Sequence, residues 1–356
     1  MPGMRTFRTS ALLAVLASIL TACSQAVAPG PSASTPAKPV ASTRPSASAP
    51  PKVTLRSAVN GTQPTAGYLW VIQDAGIFEQ HGVHVDFTTM NGAAAIAAMV
   101  SGGIDFGVHA GAQLPLTAFA QGTPLKLVAA NEDVFDLKFI APNSVTSFDQ
   151  LRGKKIGAQS FSSLNAGAER KLLSEHGLQV DKDYQLIETG SSGSDAGIAA
   201  QMASHNIDAA AFTAAFASQL LAQGGYHELA DLAQTDIHVA SEVLAFPASY
   251  VQQHPDVVQR TVDAMIDGIH YFKTHEPDAI TAYKTHYQLD DQAAMDALWQ
   301  RQSQVLSKTP TINKADLADL ISQLPSDTPT VTDDKLNQLV DDSFVEDATK
   351  RGLTNY

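Results

Sequence analysis

The chain has 356 residues, with 36 acidic against 23 basic side chains and a formal net charge of −13. That balance argues against a nucleic-acid partner, and it means that any anion site must be built locally rather than from a basic surface field. A single cysteine excludes an internal disulfide framework and a cysteine-based zinc site.

Arg5 and Arg8 precede an apolar run from Ala11 to Leu20. The run is too short for an ordinary membrane span and has the size of a signal-peptide core. It ends in Leu20-Thr21-Ala22-Cys23, which resembles the lipobox of bacterial lipoproteins. The resemblance implies a signal peptide over 1–22, diacylation of Cys23 and export. The protein would be lipid-anchored to the cell envelope, in the periplasm or on the outer face of the cytoplasmic membrane. Residues 23–52 are rich in Pro, Ser, Ala and Thr with hardly an apolar anchor, so they read as an extended tether. Two acyl chains anchor stably where one would bind only reversibly.

The remaining chain is long enough for two lobes. Val53, Leu55 and Ala58 begin a strand that runs into the polar loop Asn60-Gly61-Thr62-Gln63-Pro64-Thr65. A helix carrying Tyr68, Trp70, Val71 and Ile72 comes next and closes at Gly76, and Val83, Val85 and Phe87 line one face of the next strand. The stretch from Asn91 to Gly122 organises the rest of the chain. Ile96, Met99 and Val100, with the alanines between them, recur at helical spacing, which predicts a helix over 92–101 ended by Gly102 and Gly103. Ile104, Phe106 and Val108 alternate with Asp105 and Gly107 as a strand, and His109-Ala110-Gly111 turns into a second helix that stops at Gly122. Two helix amino termini thus sit beside one strand end, where exposed N–H groups can hold an anionic or polar ligand group. Another strand begins after Gly122 and ends at Asn131-Glu132-Asp133. Alternating strands and helices are the α/β signature.

A weaker copy of this unit aligns Asp105 with Asp208, Met99 with Met202 and His109 with Phe212. It reads either as a second related lobe or as shared composition in an alanine-rich chain.

Five blocks in order, AGYLWVIQDAGIFEQHGVHVDF, GAAAIAAMVSGGIDFGV, AQGTPLKLVAA, SFDQLRGKKIGAQSFSS and ASHNIDAAAF, resemble solute-binding proteins of ABC importers. The group concerned serves nitrate, taurine, alkanesulfonates and thiamine-pyrimidine precursors. The resemblance runs from about Val53 to about Asp290 and implies a type II periplasmic-binding fold. In it, two α/β lobes joined by two crossing strands close over a small-molecule solute that passes to a membrane permease. On that reading residues 53–140 and 243–356 form lobe I, with a helical C-terminal cover, and residues 141–242 form lobe II. The crossing strands are Phe139–Pro142 and Glu242–Phe246. On the same reading it would act as a monomer and would need no cofactor.

In lobe II, Lys155–Ala158 is a strand, and a helix from Leu164 to His176 is terminated by Gly177. Ser162 and Ser163 read either as N-caps or as ligand contacts. The Gly/Ser-rich run Glu188–Asp195 lacks the Lys-Ser/Thr of a phosphate loop and reads as a loop capping a helix. After Pro255, Val258, Val262, Met265, Ile269 and Phe272 keep helical spacing, and weaker amphipathic segments cover 292–305, 314–324 and 333–350.

The residues expected at the interlobe gap are Gln63, Tyr68, Asn91, Gly92, Ala93, His109, Ala110, Asn131, Phe161, Ser162, Phe212 and Thr213. Trp70, Phe212 and Phe216 read equally as core, and His109 as a loop residue. No HExxH or CxxC appears, so no metal site is expected. Glu132 and Asp133 read as solvated acids rather than a catalytic pair. The expected cleft loops contain no Lys or Arg, which disfavours a phosphate-bearing solute. A small sulfonate, carboxylate or heterocyclic solute fits better. The competing reading is an enzyme on the same fold acting on a small metabolite.

Overall fold

A computed structural model of the protein describes residues 52–59, 64–161, 163–189, 194–322, 324 and 328–356. The signal peptide, Cys23, the tether up to residue 51, Gln63, Ser162 and residues 190–193 of the Gly/Ser-rich run therefore lie outside the described residues.

The first half of the chain lays down β1 (Val53–Val59), α1 (Gly67–Asp74), α2 (Ile77–Gln80), β2 (Val83–Thr89), α3 (Gly92–Val100), β3 (Phe106–Ala110), α4 (Gln113–Ala120) and β4 (Leu125–Val134). A second set comprises β5 (Leu137–Pro142), β6 (Lys155–Ala158), α5 (Leu164–Glu175), β7 (Gln185–Glu188), α6 (Asp195–Ala203), β8 (Ala209–Thr213), α7 (Ala214–Ala222) and β9 (Tyr226–Asp231). The chain then returns through β10 (His238–Pro247) and ends in helices α8 (Ala248–Gln253), α9 (Pro255–Thr274), α10 (Glu276–Tyr287), α11 (Gln292–Val305), α12 (Lys314–Ser322), α13 (Asp333–Leu339) and α14 (Ser343–Lys350).

Among the described residues the strands form two five-stranded sheets, ordered β2-β1-β3-β10-β4 and β7-β6-β8-β5-β9. In the first, β1 runs parallel to β2 and β3 while β10 is antiparallel to β3 and β4. The second repeats the pattern, with β6 parallel to β7 and β8, and β5 antiparallel to β8 and β9. All of β5 pairs within the second sheet and all of β10 within the first, so the chain changes sheets at 135–136 and 232–237. Both passages come a few residues before the expected boundaries at 140 and 243, because hydrogen-bond partners rather than local apolarity decide which sheet a crossing strand joins.

The internal repeat is structural. Asp105 accepts from the Arg56 amide at 2.8 Å, and Asp208 accepts from the Lys155 amide at 2.9 Å. Each carboxylate thus receives an N–H from the first parallel strand of its own sheet. β3 starts at Phe106, two residues later than the alternation at 104–108 predicts, with the Asp105 amide donating to the Arg56 carbonyl at 2.8 Å just before it.

The apolar stripe of α9 packs against α1, and Val258, Val262, Met265, Ile269 and Phe272 are fully buried. Burial of each such side chain contributes about 2 kcal/mol. On the other face of the first sheet, α12 packs on β10 and α4, and also on α5 of the second lobe. The C-terminal segment therefore bridges the lobes, where the sequence suggests a cover for lobe I alone. The helical pattern over 333–350 is broken between α13 and α14, because Val340 bridges Leu127 and the Asp341 amide donates to the Leu127 carbonyl at 2.9 Å.

Candidate functional site

Strand order reverses at β1, whose neighbours β2 and β3 leave in opposite directions. In open α/β sheets the crevice beyond the carboxyl ends of such strands is where ligands bind. Here it holds a cavity of about 100 Å³ between the ends of β1 and β3, the first turns of α3 and α4, and β10. Its walls include Met90, Ile96, Met99, Leu114 and Pro115, and among the described residues that line it the one ionisable side chain is Glu242.

The amino terminus of α3 forms one edge of the cavity. Asn91 is extended, with φ −71° and ψ 160°, and its Oδ1 accepts from the Ala94 amide at 2.9 Å. This is an N-cap, which satisfies one of the four unpaired N–H groups of the first turn and leaves the dipole's positive end at the crevice. A Cβ on Gly92 would stand 2.3 Å from Leu114 Cδ1, so the tip of the Leu114 side chain lies over the first turn of α3 in the space a side chain at 92 would take.

Behind the cavity lies a buried polar cluster. Glu132 and Glu242 are register partners across β4 and β10. Glu132 is only 4% exposed, and Gln302, with its amide nitrogen turned inward, donates to Glu132 Oε1 at 3.2 Å and to the Thr65 carbonyl at 3.1 Å. Asn131 Nδ2 donates to the Tyr68 hydroxyl at 3.3 Å, and Asn131 Oδ1 is buried without a hydrogen-bond partner among the described residues. Burial pushes the Glu242 carboxyl up to about 8. Burial first, then the charges of Glu242 and Asp136, lift Glu132 well above the carboxylate range against the opposing pull of Arg301. Burial, then the two glutamates, also raises the Tyr68 phenol. Two neighbouring carboxyls in such a place share at least one proton at neutral pH. Glu132 is therefore not the solvated acid its position after an apolar strand suggests: β4 continues to Val134 and carries it inside. Asp133, its neighbour, is partly exposed.

The expected site residues fall into groups. Asn91, Gly92 and Ala93 form the cap and first turn of α3. His109 and Ala110 close β3, with Ala110 opposite Val243 of β10. Tyr68 and Asn131 meet in the buried cluster, where both are inaccessible to solvent. In the second lobe, Phe161 is 50% exposed just before α5. Ser163 caps that helix by accepting from the Ala166 amide at 3.2 Å. Thr213 caps α7, and its amide and hydroxyl donate to Asp195 Oδ2 at 3.1 and 2.5 Å. Phe212 is a core residue instead, fully buried with Ile140, Ile198 and Leu220, because alternation along β8 turns it into the sheet–helix interface. Trp70 stacks on His286 at 4.5 Å and donates to the Tyr287 hydroxyl at 3.1 Å, which fixes it between helices.

Glu242, Leu114 and Gln302 escape a reading for motifs. A lone acid inside the apolar run Val239–Phe246 is the one sequence signal that points to the first of them.

Residues 63–279 match the family described as NMT1/THI5 like. A binding protein of Brucella abortus (strain 2308) is 29% identical over 226 residues, which cover 61% of this chain. The chain spans 65% of the length of the curated relatives it matches. Among solved structures, the periplasmic sulfonate-binding protein SsuA from Methylobacillus flagellatus KT aligns with a TM-score of 0.65 at 18% identity, covering 84% of this chain and 94% of that one. The periplasmic nitrate-binding protein NrtA from Synechocystis PCC 6803 aligns with a TM-score of 0.57 at 14% identity, covering 85% and 90%. At these identities the likeness establishes the fold, a periplasmic-binding-protein fold with two α/β lobes. With more than half of its length matched, the chain belongs to the NMT1/THI5-like family.

Proposed function

We propose that this protein is the solute-binding component of an ABC importer, exported and held at the envelope by a lipid on Cys23. It captures a small organic solute between its lobes and delivers it, as a monomer, to a membrane permease. The observation that carries this reading is the cavity at the carboxyl ends of β1 and β3, edged by the capped amino terminus of α3. A solute that touches both lobes binds the closed arrangement more tightly and draws the population toward it. The ligand-contact set comprises Asn91, Gly92 and Ala93, the His109–Ala110 backbone, Phe161 and Thr213, with Ser162 next to Phe161 in sequence and Gln63 in the polar stretch between β1 and α1. Tyr68 and Asn131 support it from behind.

Apolar walls with one acid favour a heterocyclic solute that presents an N–H donor to Glu242 over a free sulfonate or carboxylate, whose charge the buried acid pair would repel. The test is native mass spectrometry of protein purified from its own host, with a thermal-shift panel of the solute found and of alkanesulfonates. A copurified small molecule that raises Tm supports the reading, and the absence of any stabilising small molecule in both measurements removes it.

The second reading is an enzyme on the same fold. It is favoured by the proton shared between Glu132 and Glu242, a group able to act as a general acid. Turnover of the copurified molecule by the purified protein would select it.

A further inference from the structure

Arg301 lies on α11, which packs on α9, α10 and β4 and so belongs to the first lobe. The end of that helix is tied to the first sheet: Leu306 bridges Glu132, the Ser307 amide donates to the Asn131 carbonyl at 2.7 Å, and Lys273 Nζ donates to the Leu306 carbonyl at 2.6 Å. From this fixed base the guanidinium reaches across. It binds Asp231 in bidentate fashion at 2.8 and 3.0 Å, and its Nε donates to Asp136. Asp136 occupies the passage between β4 and β5, and its carbonyl accepts from the Ala214 amide of the second lobe at 3.2 Å. Asp231 ends β9, immediately before the chain passes back to β10. One side chain carried by the first lobe therefore holds the second lobe at both places where the chain crosses. The Arg301 and Asp231 side chains are each 13% exposed, so water competes little for the contact.

We propose that Arg301 is an interlobe pin, a positioning residue that fixes the pivot about which the lobes open and close. The fork geometry suits this, since bidentate pairing sets direction as well as distance. The surrounding charges make the pin reversible. Lys138 on β5 faces Asp231 at 3.6 Å while it bonds Glu228 at 2.7 Å, so Asp231 keeps a cation when Arg301 shifts. A further bridge between the lobes, α12, contributes apolar side chains, with Leu317 and Leu320 buried, and an Arg301 variant leaves it in place. Loss of the pin frees rotation at the crossings without unfolding either sheet.

The test is a distance measurement by pulsed electron paramagnetic resonance. The full chain carries Cys23→Ser, with spin labels on Val100→Cys in α3 and Val180→Cys after α5, both of which are exposed. Arg301→Gln is expected to widen the interlobe distance distribution at least twofold. Arg301→Lys should widen it less. Asp231→Asn should reproduce the widening, and the double variant should add nothing to it. Asp231→Asn also serves if Arg301→Gln does not fold. An unchanged width in the folded variants overturns the pin, whatever the solute proves to be. The affinity arm rests on the solute-binding reading: Arg301→Gln should weaken capture about tenfold, since a looser pivot raises the ordering cost of closure. Weakened capture with unchanged distances would again overturn the pin and leave that reading intact.

Discussion

Replacing Glu242 by Gln removes the group whose protonation the fold alters by a stated amount. An unfolded glutamate titrates near its ordinary value of 4.5, and in the folded protein Glu242 titrates at about 8. Between those values the folded state holds a proton that the unfolded state has lost. The wild-type protein should therefore lose stability as pH rises through that window and level off above it. At about 1.36 kcal/mol per pH unit the full gap sets an upper limit of roughly 5 kcal/mol. Glu242 retains some access to water and shares its proton with Glu132, so about 2 kcal/mol is the expected size. Gln keeps the shape and carries no charge. Thermal unfolding of both proteins at pH 5 and pH 8 reads the difference: near-equal Tm at pH 5, and at pH 8 a variant more stable than wild type by several degrees. Parallel pH dependences, or a variant less stable than wild type at pH 8, would refute a buried, proton-sharing pair.

Asn91→Ala removes the cap on α3 and should cost about 1 kcal/mol in denaturant unfolding. It should also weaken solute binding, and unchanged affinity would detach the α3 terminus from the site. Gly268→Ala puts a methyl group 2.3 Å from Ile72 Cγ1 and 2.5 Å from its Cδ1, where α9 meets α1. The loss should be about 3 kcal/mol, and a melting curve like that of wild type would contradict this packing. Gly92→Ala meets only the tip of Leu114, a side chain 43% exposed and able to turn. It should cost under about 1 kcal/mol yet lower solute affinity by narrowing the cavity, as calorimetry would record. Phe212→Leu should lower Tm through lost packing and leave affinity alone; weakened binding in a folded variant would return Phe212 to the crevice.

Much of the fold is legible in the residues themselves, because periodicity states which side of an element is apolar before any partner is known. The stripe from Val258 to Phe272 specifies α9, and the apolar positions from 292 to 305 specify α11 to the residue. The matched aspartates Asp105 and Asp208 mark two related sheets. Ser163 announces a helix start through a chemistry confined to neighbouring residues. What tertiary structure decided concerns groups far apart in the chain. Glu132 and Glu242 become neighbours only through the antiparallel register of β4 and β10, and the same contact turns Glu132 from an apparently solvated acid into one that shares a proton. Arg301 meets Asp136 and Asp231 only after α11 has packed on the first sheet and both crossings have been placed. Val340 leaves its helix because Leu127 offers it a strand partner. Local sequence encodes what each segment can bury, but the energy of a charge depends on its distance from other charges and from water, and only the assembled fold sets those distances.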